Sequence, residues 1–199
     1  MSYQDPEVGE ELTVRITSKN SQYSIYVTTP VGNSGLIRTK DLSWSHQNKF
    51  FEALQVGEYT QAKVTRVLQD GKINFSRKDA FPKPQDIELG TILDGIVDSV
   101  EQYGLLIRFD AFIALAPWGE LTSRFYKSGD AIKCVLIEKN EDETGWVKLT
   151  VSVKPFLVNF AQNNETGDRV TARFVGYSPV VAPTAAIFVN DLFLIVSLR

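Results

Sequence analysis

Cysteine and histidine are almost missing from this chain: 199 residues contain one of each, Cys134 and His46. One thiol excludes an internal disulfide, and one imidazole with one thiol cannot assemble a His/Cys zinc set. His46 follows Trp44 and Ser45 in a polar connector, so no nucleophile–base pair is read around it. The sequence has no glycine-rich phosphate loop of the P-loop or dinucleotide type. Cys134, inside Ile132-Lys133-Cys134-Val135-Leu136, reads as a small buried hydrophobe. The expectation is a non-enzymatic protein with no metal and no cofactor.

Long apolar runs are scarce too. The most apolar region, residues 180–198, is broken by Pro183, Asn190 and Asp191 and alternates as strands do, so no membrane span is read. Residues 1–7 are acidic and lack an apolar core, which argues against a signal peptide and for a cytoplasmic protein. A strong excess of one charge is also absent. The net charge of -3 speaks against a whole-surface nucleic-acid binder.

What is present is short-period alternation. Leu12, Val14 and Ile16 face one way and Thr13, Arg15 and Thr17 the other, which predicts a half-buried strand. Residues 23–28 predict a second strand, rich in aromatic and β-branched side chains, and Leu36-Ile37-Arg38 a third. A connector over residues 44–54 carries Phe50, Phe51 and Leu54 as a plug for one barrel end. Residues 59–68 then predict a fourth strand, Asp70-Gly71 a tight hairpin, and residues 72–77 a fifth strand. Five short strands in about 70 residues suit a small closed barrel, which leaves no strand edge unpaired.

The pattern recurs. Leu89-Gly90-Thr91-Ile92-Leu93 matches Val8-Gly9-Glu10-Glu11-Leu12, and Tyr103-Gly104-Leu105-Leu106-Ile107 answers Tyr23-Ser24-Ile25-Tyr26-Val27. Leu149-Thr150-Val151-Ser152 answers Ile73-Asn74-Phe75-Ser76. A third copy starts near Thr166-Gly167-Asp168 and has too few residues left for a whole unit, so its strands are expected to pack elsewhere or to belong to a longer array. The domains read as 8–80, 87–154 and a partial unit at 165–199, with a Pro-containing linker at residues 80–86. Residues 8–80 hold 10 basic and 7 acidic side chains, a net +3, while residues 81–154 hold 8 and 12, a net -4. Phosphate contact is favoured at the first unit and opposed at the second.

Two tyrosines, an arginine and lysines fall on neighbouring strands of the first unit: Tyr23, Tyr26, Arg38, Lys40 and, before the last strand, Lys72. A flat aromatic beside a cation offers a stacking surface for bases and a counter-charge for phosphates. The run Val8-Gly9-Glu10, an aromatic strand, Gly35-Leu36-Ile37, Asp41-Leu42-Ser43, Val56-Gly57-Glu58 and Gly71-Lys72-Ile73-Asn74-Phe75-Ser76-Arg77-Lys78 resembles the S-one domain. This is the RNA-binding OB-fold repeat of bacterial small-subunit ribosomal protein one. The resemblance implies an all-β chain of tandem five-stranded antiparallel OB barrels, with an incomplete third β unit.

The resemblance further implies an RNA surface with Tyr23 and Tyr26 as its two aromatics, Arg38 in place of the family's usual histidine, and Lys72 as its basic group near the last hairpin. Simple alternation instead puts Tyr23 on the buried Ile25/Val27 face. In the second unit Tyr103 fits the first aromatic, Leu106 replaces the second, and Ala114 falls at the histidine position, so this copy reads as degenerate. Trp44 and Trp118 read as packing residues. The expected ligand is single-stranded RNA, with single-stranded DNA as a second candidate, in translation or RNA metabolism. The competing expectation is a protein–protein module that docks on a ribosome, polymerase or nuclease, with the acidic second unit as the contact. Exposure of the tyrosines discriminates between the two.

Overall fold

The computed structural model describes residues 6–20, 24–143, 145–165, 168–177, 184–189 and 192–197. The first five strands are β1 (Glu11–Asn20), β2 (Ser24–Thr28), β3 (Ser34–Arg38), β4 (Tyr59–Val67) and β5 (Ile73–Ser76), with helix α1 (Gln47–Ala53) between β3 and β4. They close into a barrel in the order β1-β2-β3-β5-β4. Alternation sends Val14, Ile16, Ile25, Val27, Ile37, Ala62, Val64, Ile73 and Phe75 inside, where all are buried. Each such valine, isoleucine or phenylalanine contributes roughly 1.5–3 kcal/mol through burial.

One end of the barrel is stoppered as expected by Phe50 of α1, which is buried, with Phe51 and Leu54 half-buried beside it. Arg77 completes the stopper. Its Nε donates to Thr60 Oγ1 at 2.9 Å and a terminal guanidinium nitrogen donates to the Leu42 carbonyl at 3.1 Å. The Phe81 and Phe50 rings lie 4.9 and 5.5 Å from the guanidinium. A buried cation is tolerable only with its donors used, and this one is hydrogen-bonded and stacked.

Closure depends on β3 and β5 running parallel, with Gly35 opposite Ile73, Leu36 opposite Asn74 and Ile37 opposite Phe75. The Phe75 ring lies across Gly35. A Cβ there would meet Phe75 Cδ2 at 2.7 Å, well inside contact distance. Glycine is therefore needed at 35 for space.

The second set repeats the first. Strands β6 (Ile92–Glu101), β7 (Gly104–Arg108), β8 (Ile113–Pro117), β9 (Ala131–Glu141) and β10 (Val147–Ser152) close in the order β6-β7-β8-β10-β9. Cys134 is buried in this core, and burial pushes its thiol up to about 12. Helix α2 (Lys154–Asn163) follows, a turn the strand periodicity had not suggested; Pro155 in its first turn was the available signal. Strands β11 (Arg173–Tyr177), β12 (Thr184–Val189) and β13 (Leu192–Ser197) form a three-stranded antiparallel sheet in that order. The chain divides into one compact unit of Met1–Ile87 with Asp110–Phe112, and another of Glu88–Phe109 with Ile113–Arg199.

Each leading strand carries a bulge at the same place: Ile16/Ser18 in β1, Val97/Ser99 in β6 and Phe174/Gly176 in β11. A further bulge between Val64 and Arg66 turns Arg66 outward opposite Asn74 and pairs Val67, the last residue of β4 and 39% exposed, with the buried Ile73. The register also corrects the alignment of the two barrels. Tyr26 pairs with Leu36 as Leu106 pairs with Leu115, so the counterpart of Arg38 is Pro117. Ala114 points inward and is buried.

Replacing Gly35→Ala is expected to destabilise the first barrel by about 1–3 kcal/mol through overpacking against Phe75. Urea denaturation followed by Trp44 fluorescence, in a Trp118→Phe/Trp146→Phe background, should show a lower midpoint at unchanged slope.

Candidate nucleic-acid interface

The outward side chains of the first barrel form a grid fixed by strand register. One rung runs Ser18–Tyr26–Leu36–Asn74–Arg66 across β1, β2, β3, β5 and β4. Tyr26 is 43% exposed, Arg66 is exposed, and Leu36 and Asn74 are half-buried between them. The rung on one side pairs Ser24 with Arg38, and Arg38 is exposed. Arg38 thus sits diagonal to Tyr26 on one face, within reach of a long side chain.

On the other side of Tyr26, Thr28 pairs with Ser34. The parallel pairing of Gly35 with Ile73 carries Lys72 alongside Ser34. Tyr26, Arg38 and Lys72 therefore share the outer face of β2, β3 and β5. Lys40 does not join them: it lies in the 3-10 turn Thr39–Asp41 beyond the end of β3, exposed, with its carbonyl accepting from Lys78 Nζ at 2.9 Å. Tyr23 lies outside the described residues. Arg66 and Asn74 were not singled out from the sequence; only the bulge in β4 and the parallel β3–β5 register bring them to the Tyr26 rung.

Among the described residues, Arg38 and Arg66 have no hydrogen-bond or ion-pair partner, so both guanidinium groups are available to an anion. Lys72 differs. Its Nζ donates to Asp70 Oδ2 at 2.6 Å and its backbone N–H donates to Asp70 Oδ1 at 3.2 Å. The side-chain hydrogen bond from Lys72 holds the Asp70 carboxyl below its ordinary value, and the same bond raises the Lys72 ammonium. Tyr26 Oη lies 3.5 Å from Asn20 Nδ2, and its backbone carbonyl accepts from Thr17 Oγ1 at 3.1 Å. Trp44 is not an open platform, because Lys78 and Lys83 place their ammonium groups 5.1 and 5.6 Å from its ring centre.

The matching rung of the second barrel reads Ser99–Leu106–Leu115–Thr150–Glu138. An aliphatic replaces the stacking ring and a carboxylate replaces Arg66. At the Thr28 position stands Arg108, half-buried, with its Nε 3.4 Å from Asp98 Oδ1, an ion pair without hydrogen-bond geometry. Trp118 is packed: its Nε1 donates to the Gln102 carbonyl at 3.0 Å, and Arg124 stacks 5.2 Å from its ring. Tyr103 is exposed in the turn of the β6–β7 hairpin, outside both strands. Among the described residues no group of three or more His, Cys, Asp or Glu side chains could hold a metal, and no helix is long and apolar enough to cross a membrane.

A closed five-stranded barrel in the order β1-β2-β3-β5-β4 is an OB-like fold. Residues 5–78, which span the first barrel, match the family model described as S1 RNA binding domain. The chain is 33% identical over 79 residues to the protein YabR of Bacillus subtilis (strain 168), covering 40% of this chain and 61% of YabR. It is 28% identical over 81 residues to polyribonucleotide nucleotidyltransferase of Clostridioides difficile (strain 630), covering 41% of this chain and 11% of that enzyme. The chain thus spans less than two thirds of the length of these relatives. Among solved structures, GSP13 from Bacillus subtilis aligns with a TM-score of 0.34 at 27% identity, covering 41% of this chain and 65% of that one.

Removing the lysine partner tests the hairpin electrostatics. In Lys72→Ala, the Asp70 carboxyl should titrate higher than in the unaltered protein, back towards the ordinary carboxylate range, because its hydrogen-bonded cation is gone. The pair itself is intact above the ordinary carboxylate value and is lost as pH falls through the lowered one. Carboxyl-resolved NMR titration of both proteins reads this directly; an unmoved Asp70 would refute the assignment.

Proposed function

We propose that the first barrel binds single-stranded RNA without catalysis, by stacking a base on Tyr26 and pairing phosphates with Arg38, Arg66 and Lys72. The observation that carries the reading is the exposed rung from Tyr26 to Arg66, set against its aliphatic and acidic counterpart in the second barrel. Stacking tolerates any base, so sequence preference is weak. Asn74, between the ring and the guanidinium, carries an amide able to donate to and accept from a base edge. The second barrel serves as a spacer without RNA contact, consistent with its net negative charge. The sheet β11–β13 opens a third unit of the same plan, since its strand order and its bulge repeat those of β1–β3. Cytoplasmic RNA metabolism is the setting this reading favours.

Fluorescence-polarisation titration of short single-stranded RNA and DNA across a salt series tests the proposal. Affinity should be of micromolar order and fall with salt, at a log–log slope near -0.7 for each phosphate neutralised, so about -2 for three cations. The Tyr26→Ala/Arg38→Ala protein should lose at least roughly tenfold in affinity, and unchanged binding would sink the assigned face. Asp70→Asn should tighten binding and steepen the slope, because it frees Lys72 from its carboxylate.

A further inference from the structure

The face built around Tyr26 does not stop at β2. Arg15 of β1 is paired on one side with Thr28 of β2 and on the other with Tyr59 of β4. A second outward rung therefore runs Tyr59–Arg15–Thr28–Ser34, adjacent to the Tyr26 rung and ending alongside Lys72. Tyr59 is 68% exposed, the most exposed aromatic among the described residues. Arg15 is exposed as well, and among the described residues the side chains of neither Arg15 nor Tyr59 have a hydrogen-bond, ion-pair or ring partner. The nearest carboxylate in sequence, Glu58, is held on the loop by accepting from the Gln55 backbone N–H at 2.8 Å.

A large ring left two-thirds exposed next to an unpaired guanidinium contributes little to the barrel. Its burial is small, and the inward neighbours Val14, Ile16 and Thr60 fill the core without it. The second barrel gives an internal comparison. There Ile96 takes the place of Arg15 and Ala131 the place of Tyr59, paired with each other in the same register. The fold is the same, so it does not require the aromatic–cation pair. Both pairs, Tyr26 with Arg66 and Tyr59 with Arg15, are present in the basic barrel and replaced in the acidic one.

We infer that Tyr59 is a second base-stacking platform for single-stranded RNA, with Arg15 meeting the phosphate between it and Tyr26. This rests on the reading of the Tyr26 face as an RNA surface. Tyr59 and Tyr26 are two strands and two residues apart, a Cα separation of roughly 10–12 Å. That exceeds one stacked step of about 3.4 Å along a strand. A single nucleotide cannot bridge both rings; a strand of several nucleotides can wrap from one to the other around β1. The platform therefore acts on longer ligands only.

An oligomer-length series tests this, using oligo-uridine of two and of ten nucleotides with the full chain. Tyr59→Ala and Arg15→Gln should each weaken the ten-nucleotide ligand, Tyr59→Ala by roughly tenfold, and leave the two-nucleotide ligand unchanged. Tyr59→Phe should bind both as the unaltered protein does. Tyr26→Ala should weaken both lengths. If Tyr26→Ala weakens binding while Tyr59→Ala changes neither length, or changes both equally, the second platform is wrong and the Tyr26 face stands. If Tyr26→Ala changes nothing, or the unaltered protein binds neither oligomer, the Tyr26 face is wrong and the second platform falls with it.

Discussion

The parallel pairing of β3 with β5 is the constraint on which the first barrel and its outer face both depend. A meander of antiparallel hairpins would not place the last strand beside the third. Here the chain crosses an end of the barrel through α1 and β4 before β5 returns next to β3. That return is possible because position 35 has no side chain and the Phe75 ring fills the space. Once Gly35 faces Ile73, the outward alternation of both strands is set, and Leu36 must stand beside Asn74. On the proposed reading the recognition surface is a by-product of closure: the packing that buries Phe75 also sets which polar groups flank Tyr26.

The second barrel shows how little of that surface the fold itself demands. Its strand order, leading bulge and hairpin pairing repeat the first. Its outward positions are free to differ because they do not enter the core. They differ in a consistent direction, with Leu106 for Tyr26, Glu138 for Arg66, Ile96 for Arg15 and Ala131 for Tyr59. The core positions keep their character, with Val97, Leu105, Ile107, Leu149 and Val151 all buried. Divergence confined to one side of the pleat separates what holds the barrel from what acts on a ligand.

Strand number, the repeat and the exposure of Tyr26, Arg38 and Lys72 were legible in the sequence because they rest on period-two alternation and on local motif order. What escaped rests on register. Arg66 looks like one more exposed lysine or arginine until a bulge after Val64 moves it opposite Asn74. Arg15 and Tyr59 are 44 positions apart in the chain, and only the β1–β4 pairing makes them neighbours. Ala114 was matched to Arg38 by sequence, yet a displacement of three residues separates it from the true counterpart, Pro117. Helix α2 was invisible to a search tuned to alternation.

The same register places the face proposed for RNA within a chain of net acidic charge. Average charge governs long-range attraction, but screening limits it to about 8–10 Å at physiological salt. Arg38, Arg66 and Arg15 are exposed on the outer face of the first barrel, and Asp70 is engaged with Lys72. The acidic hairpin at Glu141, Asp142 and Glu143 lies in the other barrel. Binding strength therefore follows the local set of cations and rings, and the Asp70–Lys72 pair is the point at which the first barrel's own charge moderates it.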